Sequence, residues 1–269
     1  MLFNNKKCSN CASYYDPTLK KCPICNKSNE LYDQRRIPDS VVFFHPAAQI
    51  GLFLAGFSFV GMLVSEIIST IIFKGLPDRG LADALEILFV YILMLSALLT
   101  ISLSARASIF IEKFKRYKDY LFGLAYAGAI ILTGVIINTI QGFIYQATNG
   151  NQEAAESLIT NYPIIAIFLV CLLGPICEEL TYRVGLYSFL RRINKILAII
   201  VTTIVFALIH YDFSAKDYIA ELWALPSYLT CGLILALAYE HRGPACSITA
   251  HVTYNIVALI LVIIGKAYG

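Results

Sequence analysis

The sequence predicts an all-α protein that crosses the membrane about seven times, with a small polar domain in front of the first span. Two observations lead to this fold class. Of the 269 residues, 58% are hydrophobic and 14% are charged, whereas a soluble domain carries about 25% charged residues. The apolar residues also fall into separate runs, most of them close to the roughly 20 residues that a helix needs to cross the hydrocarbon core.

Seven candidate spans follow one another after residue 46. The fifth is short for an independent span, so a count of six or eight also fits the pattern. The spans cover about residues 47–73, 81–105, 120–145, 162–188, 196–211, 221–240 and 244–266. Residues 47–269 are therefore treated as one transmembrane domain, preceded by a linker at 31–46 and a separate domain at 1–30. The polar start of the chain does not resemble a signal peptide.

The basic residues predict the orientation in the membrane. They concentrate in the N-terminal region, in the loops after the second and fourth spans, and before the last span, as in Lys20, Lys21, Lys113, Lys115, Arg116, Arg191, Arg192, Lys195 and Arg242. The opposite loops hold Glu153, Glu156, Asp212 and Asp217. Because loops rich in Lys and Arg stay in the cytoplasm, we expect a multi-pass cell-membrane protein with a cytoplasmic N-terminus. The net charge of +3 is modest, and no nucleic-acid partner is expected.

The N-terminal domain contains a doubled cysteine pair. Cys8 and Cys11 form one C-x2-C unit, and Cys22 and Cys25 form another after ten residues. Four thiolates at this spacing are typical of a tetrahedral zinc site. Two disulfides are the alternative, but they are rare in the reducing cytoplasm. The sequence thus predicts a zinc ribbon over residues 1–30, in which a structural Zn²⁺ supplies most of the folding energy of a segment too short for a core.

Two adjacent glutamates, Glu178 and Glu179, interrupt the fourth apolar span. A charge in the middle of a membrane costs roughly 2.5 kcal/mol or more, so such residues are rare and usually functional. Arg183 follows Glu179 at i, i+4, the spacing of an ion pair on one helix face. Glu178 points about 100° away, and burial makes a carboxylate a stronger base. Gly174 and Pro175 are expected to kink the helix and open space beside the carboxylates.

Two later spans supply further polar groups. The basic turn near residue 193 joins the fourth and fifth spans as a hairpin, with Glu178 fifteen residues before it and His210 seventeen residues after it. At about 1.5 Å per residue, the two side chains reach depths within roughly 3 Å of each other, which predicts a shared site. His251 and Asn255 lie at i, i+4 on the last span. Asn138 and Gln141 on the third span are expected to bridge helices.

The motifs EELTYR (178–183), FALIH (206–210) and HVTYN (251–255) together resemble the CPBP family. This family comprises type II CAAX prenyl endopeptidases and bacteriocin-processing and immunity proteins, and is also called the abortive-infection (ABI) family. Its pattern is E-E-x-x-x-R, then F-x-x-x-H, then H-x-x-x-N or D. Order and spacing both match, and the similarity covers about residues 160–260.

The resemblance implies an intramembrane endopeptidase that acts on a membrane-associated or lipidated peptide. Glu178 would activate water beside His210. His251 and Asn255 would hold the water or stabilise the oxyanion, while Glu179 and Arg183 would support the site. Two histidines and a glutamate also suit zinc, so a catalytic metal stays open. We favour a metal-free route, because the side chains can supply both the base and the oxyanion donors.

Two other classes of protein remain as alternatives. The first is a non-catalytic immunity or scaffold protein with the same fold, although packing alone does not require six polar residues. The second is a transporter with a proton-relaying glutamate, which is less favoured because the chain lacks duplicated halves with matched broken helices. A cleavage assay distinguishes the peptidase from both.

Overall fold

The computed structural model describes residues 6–15, 19–29, 38–57, 67, 69–73, 75–145 and 149–268. Within this part of the chain, almost all regular structure is helical. The helices are α1 (Pro46–Phe57), α2 (Arg79–Glu112), α3 (Tyr117–Ile144), α4 (Gly150–Asn161), α5 (Pro163–Arg191), α6 (Lys195–Leu208), α7 (Tyr218–Arg242) and α8 (Pro244–Tyr268). A short π-helical segment, Ser69–Phe73, lies between α1 and α2.

The predicted class, an all-α polytopic membrane protein, is confirmed. Among the described residues, five helices are long and apolar enough to cross a membrane, namely α2, α3, α5, α7 and α8. The two remaining apolar segments are shorter helices, α1 and α6. Every predicted span therefore contains a helix, although residues 58–66 of the first span lie outside the described part of the chain, as does much of the predicted linker.

One helix was not predicted. Helix α4 lies between the third and fourth spans and carries mostly polar residues. Its N-cap is Asn149, whose side chain accepts a hydrogen bond from the amide of Gln152. Such a cap satisfies an amide that the first turn of a helix leaves unpaired. Because most residues of this helix are polar, a search for apolar periodicity did not predict it.

The N-terminal domain consists of two small turns that face each other. In the first, strands β1 (Lys6–Lys7) and β2 (Tyr14–Tyr15) pair in antiparallel fashion. In the second, an isolated bridge joins Lys21 to Ser28. Each turn contains one C-x2-C unit, so the backbone brings both cysteine pairs to the same place.

Helix α5 lies at the centre of the bundle. Half of its most apolar stretch is buried, against a third or less in the other long helices. Helix α1 packs against its C-terminal half, while α8 packs extensively against α3 and α6 packs against α7. The core between these helices includes Leu180, Val184 and Tyr187 of α5 and Tyr239 of α7. The polar residues of α5 are therefore held in the most enclosed part of the protein.

Two glycines allow close contacts in this bundle. A Cβ at Gly123 of α3 would meet Cys246 O of α8 at 2.8 Å, so only glycine lets these helices approach so closely. Gly243 has a φ of +84° in the turn between α7 and α8, a conformation that favours glycine. Pro244 then begins α8, where a missing amide hydrogen costs little.

The backbone of α5 alternates between two helical forms. The π-helical segments Ile167–Leu173 and Glu179–Tyr187 flank an α-helical turn, Gly174–Glu178. We expected Pro175 to produce a kink, but it lies in the first turn of this short α-helical segment. The irregularity is instead spread over the π-helical turns, a feature that often marks functional sites.

Candidate active site

Glu178 and Glu179 point to different surroundings. Glu179 is fully buried, whereas the Glu178 side chain is 19% exposed and lines a cavity. The Oε2 atom of Glu178 is buried and has no hydrogen-bond partner within the described part of the chain. One carboxylate therefore belongs to the interior of the bundle, and the other lines the cavity with one of its two oxygens buried and unpaired.

The predicted ion pair between Glu179 and Arg183 is present. Arg183 Nη1 lies 3.4 Å from Glu179 Oε1, and neither side chain is exposed. Arg183 also donates to the Gly232 carbonyl oxygen at 3.2 Å and packs over the ring of Phe206, 4.6 Å from its centroid. These contacts from α6 and α7 compensate part of the cost of burying the charge.

His251 lies between the two carboxylates. Its Nδ1 is 3.2 Å from Glu179 Oε1, and its Nε2 is 3.9 Å from Glu178 Oε2. Because a carboxylate only accepts hydrogen bonds, the first contact places a proton on Nδ1. The Nε2 atom of neutral His251 then directs its lone pair toward Glu178. The second glutamate of the pair thus orients the histidine that faces the first.

His210 is fixed by α6 and α7 together. Its Nδ1 lies 2.8 Å from the Phe206 carbonyl oxygen, and its ring stacks on Tyr228 with the centroids 4.5 Å apart. Phe206 packs against both histidines, with centroid distances of 4.9 Å to His210 and 5.7 Å to His251. The F-x-x-x-H spacing therefore joins an aromatic support and an imidazole on one helix face.

Asn255 connects α8 to the irregular part of α5. Its Nδ2 donates to the Val170 carbonyl oxygen at 2.8 Å. A carboxamide nitrogen carries two hydrogens, so a second N–H donor remains. Asn255 lines the same cavity as Glu178, one turn from His251 on the same helix.

These residues surround one cavity of about 470 Å³. Four of the sequence-predicted side chains line it, namely Glu178, His210, His251 and Asn255. Glu179 and Arg183 lie behind the wall, where they hold His251. The structure thus brings together all six polar residues that the sequence singled out in the membrane.

Sequence reasoning missed several residues around this cavity. Tyr228 stacks on His210, and its hydroxyl contacts Asn149 and Asn151 at the start of α4. Glu221 is buried and accepts hydrogen bonds from the amides of Gly150 and Asp212. The acidic position of Glu221 at the edge of an apolar span was a usable signal, but it resembled an ordinary interfacial charge.

Two bridging residues line the outer wall of the cavity. Ser227 of α7 donates to Asn138 Oδ1 at 2.9 Å, and Gln141 donates to the Trp223 carbonyl oxygen. The prediction that Asn138 and Gln141 bridge helices is confirmed, since both connect α3 to α7.

The four N-terminal cysteines form the second candidate site. Their sulfur atoms all lie within 4.8 Å of one another, with 3.5 Å between Cys8 and Cys25 and 3.6 Å between Cys11 and Cys22. Tetrahedral zinc with Zn–S bonds of about 2.3 Å requires sulfur separations of about 3.8 Å. The four sulfurs therefore fit a metal ion.

The backbone and the polar neighbours of the cysteines favour the same interpretation. Ala12 and Asn26, which directly follow the second cysteine of each pair, both have positive φ. The Ser13 hydroxyl lowers the pKa of Cys22 to about 6 through a hydrogen bond. A hydrogen bond from the Asn10 side chain likewise lowers the pKa of Cys25. These two shifts favour the thiolate, the form that binds metal, whereas the pKa of Cys11 is raised.

The membrane site is a poorer fit for a metal ion. Its donor types, two imidazoles and a carboxylate, suit zinc. Among the described residues, however, three or more such donor atoms come close enough to share an ion only at the four cysteines.

Comparisons with known proteins point to the same region of the chain. Residues 160–257 match the family "Type II CAAX prenyl endopeptidase Rce1-like". This segment holds all three motifs and the four cavity residues Glu178, His210, His251 and Asn255, while the carboxamides of α3 and α4 on the outer wall lie before it. No solved structure matches the chain.

Three curated relatives are similar over part of the chain. A Staphylococcus aureus protein named membrane-embedded CAAX protease MroQ is 29% identical over 136 residues, covering 46% of this chain and 51% of the relative. The UPF0177 protein YvdC of Lactococcus lactis is 25% identical over 51% of this chain and 49% of its own length. An uncharacterized Mycoplasma capricolum protein is 25% identical over 56% of this chain and 47% of its own length.

The chain thus spans about half the length of the curated relatives that it matches. The family match and the MroQ similarity support the CPBP resemblance and a membrane-protease kind of function.

Proposed function

We propose that this protein is an intramembrane endopeptidase that hydrolyses a peptide bond of a membrane-associated or lipidated substrate. The observation that carries the proposal is the pair of acceptors that face each other, Glu178 Oε2 and His251 Nε2, at 3.9 Å. Two buried acceptors at this distance need a shared donor. A water molecule about 2.8 Å from both atoms can donate one hydrogen to each, at ordinary hydrogen-bond lengths.

Such a water is ready for attack. With both hydrogens engaged, its oxygen lone pairs are free to approach the carbonyl carbon of a peptide bond in the cavity. Glu178 takes one proton as the oxygen–carbon bond forms. The tetrahedral intermediate then collapses, the carbon–nitrogen bond breaks, and the proton on Glu178 passes to the departing amine. The carboxylate is regenerated, so the cycle needs no further reactant.

The other cavity residues have defined tasks in this scheme. Asn255, through its second N–H, stabilises the negative charge that develops on the carbonyl oxygen. His210, with Nδ1 committed to the Phe206 carbonyl, offers Nε2 as a second proton acceptor. Glu179 and Arg183 are positioning residues, because they fix the orientation of His251 and touch no reacting atom.

The N-terminal domain has a separate proposed role. Cys8, Cys11, Cys22 and Cys25 hold one structural Zn²⁺ in a ribbon, and all four coordination positions are filled by sulfur. A closed site of this kind stabilises a fold and does not activate water. The concentration of basic residues places the ribbon in the cytoplasm under the positive-inside rule.

The test of the peptidase is cleavage by purified protein in detergent, with a library of acyl-anchored fluorogenic peptides. Wild-type protein and the matched variant Glu112→Gln, which changes an exposed glutamate at the end of α2, are expected to cleave the same peptides. Glu178→Gln should lower the rate by at least about 100-fold, as expected for loss of a general base. Cleavage by Glu178→Gln at the wild-type rate would contradict the mechanism, and no cleavage by wild type would favour the scaffold alternative.

A further inference from the structure

The cavity opens toward only one end of the helix bundle. Its walls come from the last turns of α3, from α4, from the first half of α7 and from the second half of α8. Glu178 and His251 lie near the middle of their helices, and the exposed Asn151 lies at the start of α4, at the other end of the lining. A peptide that reaches Glu178 through this cavity must therefore come from the end of the bundle where α4 lies.

The other half of the bundle is filled. Between Glu178 and the opposite end lie fully buried side chains of α5 and α7, namely Arg183, Val184, Tyr187, Leu235 and Tyr239. Glu240 accepts hydrogen bonds there from Arg191 and from the Tyr187 hydroxyl at 2.8 Å. Because these groups are packed and paired, this half offers no comparable route for a peptide.

The two ends of the bundle carry opposite charge. The filled end holds more basic than acidic residues: Lys113, Lys115, Arg116, Lys118, Arg191, Arg192, Lys195 and Arg242 lie there with Glu112, Asp119 and Glu240. At the open end, acidic residues outnumber basic ones among the described residues: Asp78, Asp83, Glu153, Glu156, Asp212, Asp217 and Glu221 stand against Arg79, Lys216 and Lys266. The positive-inside rule assigns the filled end to the cytoplasm, so the open end faces the outside.

We propose that the site receives its peptide from the extracytoplasmic face, and that the segment entering the cavity is neutral or basic. The inference rests on the proposed peptidase function and adds the side of entry and the charge of the substrate. Its substrates are exported or membrane-anchored chains whose cleavage region lies at the outer surface.

The cavity lining supports the second part of the proposal. Carboxamides on its outer wall, from Asn138, Gln141, Asn151 and Gln152, offer both donors and acceptors to an extended peptide backbone. Glu156 adds a carboxylate, 2.9 Å from Gln152 Nε2. No lysine or arginine occurs among the described residues that line the cavity. An acidic peptide would therefore meet repulsion from the lining itself, since Lys266, which contacts the Glu156 carbonyl oxygen at 3.5 Å, lies outside the cavity wall.

The side of entry is tested by labelling in intact cells with a membrane-impermeant maleimide. Glu153→Cys on α4 is expected to react in intact cells, whereas Lys115→Cys, between α2 and α3, should react only after permeabilisation. The unsubstituted protein measures background from the native cysteines. Labelling of Lys115→Cys in intact cells, with Glu153→Cys protected until permeabilisation, would overturn the inference. This readout requires no peptidase activity.

The charge preference is tested with matched acyl-anchored peptides that differ only in carrying Lys, Gln or Glu beside the cleaved bond. Wild type should prefer Lys or Gln over Glu. Glu156→Gln should lower kcat/KM for the Lys peptide about threefold to tenfold, with little change for the Gln peptide. Glu153→Gln, at the same end but outside the cavity wall, is the control and should leave the ratio unchanged.

The outcomes separate the two proposals. Equal losses for all three peptides in Glu156→Gln, or a wild-type preference for the Glu peptide, would overturn the charge inference while leaving the peptidase in place. Absence of any cleavage by wild type in detergent would overturn the proposed function, and peptide entry with it.

Discussion

The N-terminal cysteine cluster, which we propose as a zinc ribbon, and the membrane cavity both gather side chains of types that can bind metals or activate water, but they assemble them differently. The ribbon takes its four ligands from one short stretch, Cys8 to Cys25, and their sulfur atoms converge on a single point. The cavity takes its residues from α5, α6 and α8. There, each imidazole is tied to the protein at Nδ1, His210 by the Phe206 carbonyl and His251 by Glu179.

This difference indicates what each site can bind. Four converging thiolates repel one another unless a cation lies between them. The cysteine cluster is therefore suited to a metal ion. The cavity instead presents separate unpaired atoms around an open space, with Glu178 as the partly exposed carboxylate. It is suited to a water molecule and a substrate that enters and leaves.

Removal of Arg183 should have the largest effect on stability. Arg183→Ala leaves Glu179 as a buried, unpaired charge, and broken pairs of this kind cost about 3–5 kcal/mol. Unfolding of the purified protein in detergent measures the change. The control is Arg116→Ala, at an exposed position at the start of α3, which should alter stability by less than about 0.5 kcal/mol.

A double variant sharpens this prediction. Arg183→Met combined with Glu179→Gln removes both charges and should recover much of the lost stability. It should not recover activity, because His251 then lacks the carboxylate that holds its Nδ1 proton. Full activity in the double variant would show that the pair does not position His251.

The donor role of Asn255 predicts a loss of activity larger than the loss of its hydrogen bond to Val170 alone would cause. Asn255→Ala should lower kcat by about 100-fold, the typical effect of removing one oxyanion donor, with KM nearly unchanged. Asn138→Ala is the matched control, since Asn138 lines the same cavity but contacts Ser227. An equal loss of kcat in both variants would argue against a specific donor at Asn255.

Disruption of the ribbon should change the membrane site least. Cys22→Ser combined with Cys25→Ser should abolish zinc binding and unfold the ribbon, while peptide cleavage stays within about twofold of wild type, because only the ribbon depends on the metal for folding. Metal analysis and the cleavage assay measure the two effects on the same full-length protein. Loss of cleavage together with zinc would remove the distinction between the two regions.

The sequence predicts these regions to different extents, for physical reasons. The four cysteines could be predicted from the sequence as candidate metal ligands, because local spacing alone brings them together. The shared cavity of Glu178 and His210 could also be predicted, because a short hairpin joins their helices. The position of His251 between two carboxylates could not be predicted from the sequence, because α8 reaches α5 only through tertiary packing.

Two further features could not be predicted from the sequence. The apolar side of helix α4 is short, with the buried Ile159 and the adjacent Leu158 packed in the core, so the search for long apolar spans gave no signal for it. In α5 the sequence suggested an irregularity only at Gly174 and Pro175, and it carried no pattern that predicted the π-helical segments on either side. Residues of α4 and Val170 of the first π-helical segment line the cavity.

The most direct test of the central claim is cleavage by metal-free protein. A full-length variant with Cys8, Cys11, Cys22 and Cys25 changed to Ser is treated with a strong chelator, checked for zinc, and assayed against acyl-anchored peptides. The account predicts that cleavage persists and that Glu178→Gln in this background abolishes it. Loss of cleavage on chelation, with recovery when zinc is added back, would show that Glu178, His210 and His251 act through a metal and would contradict the account.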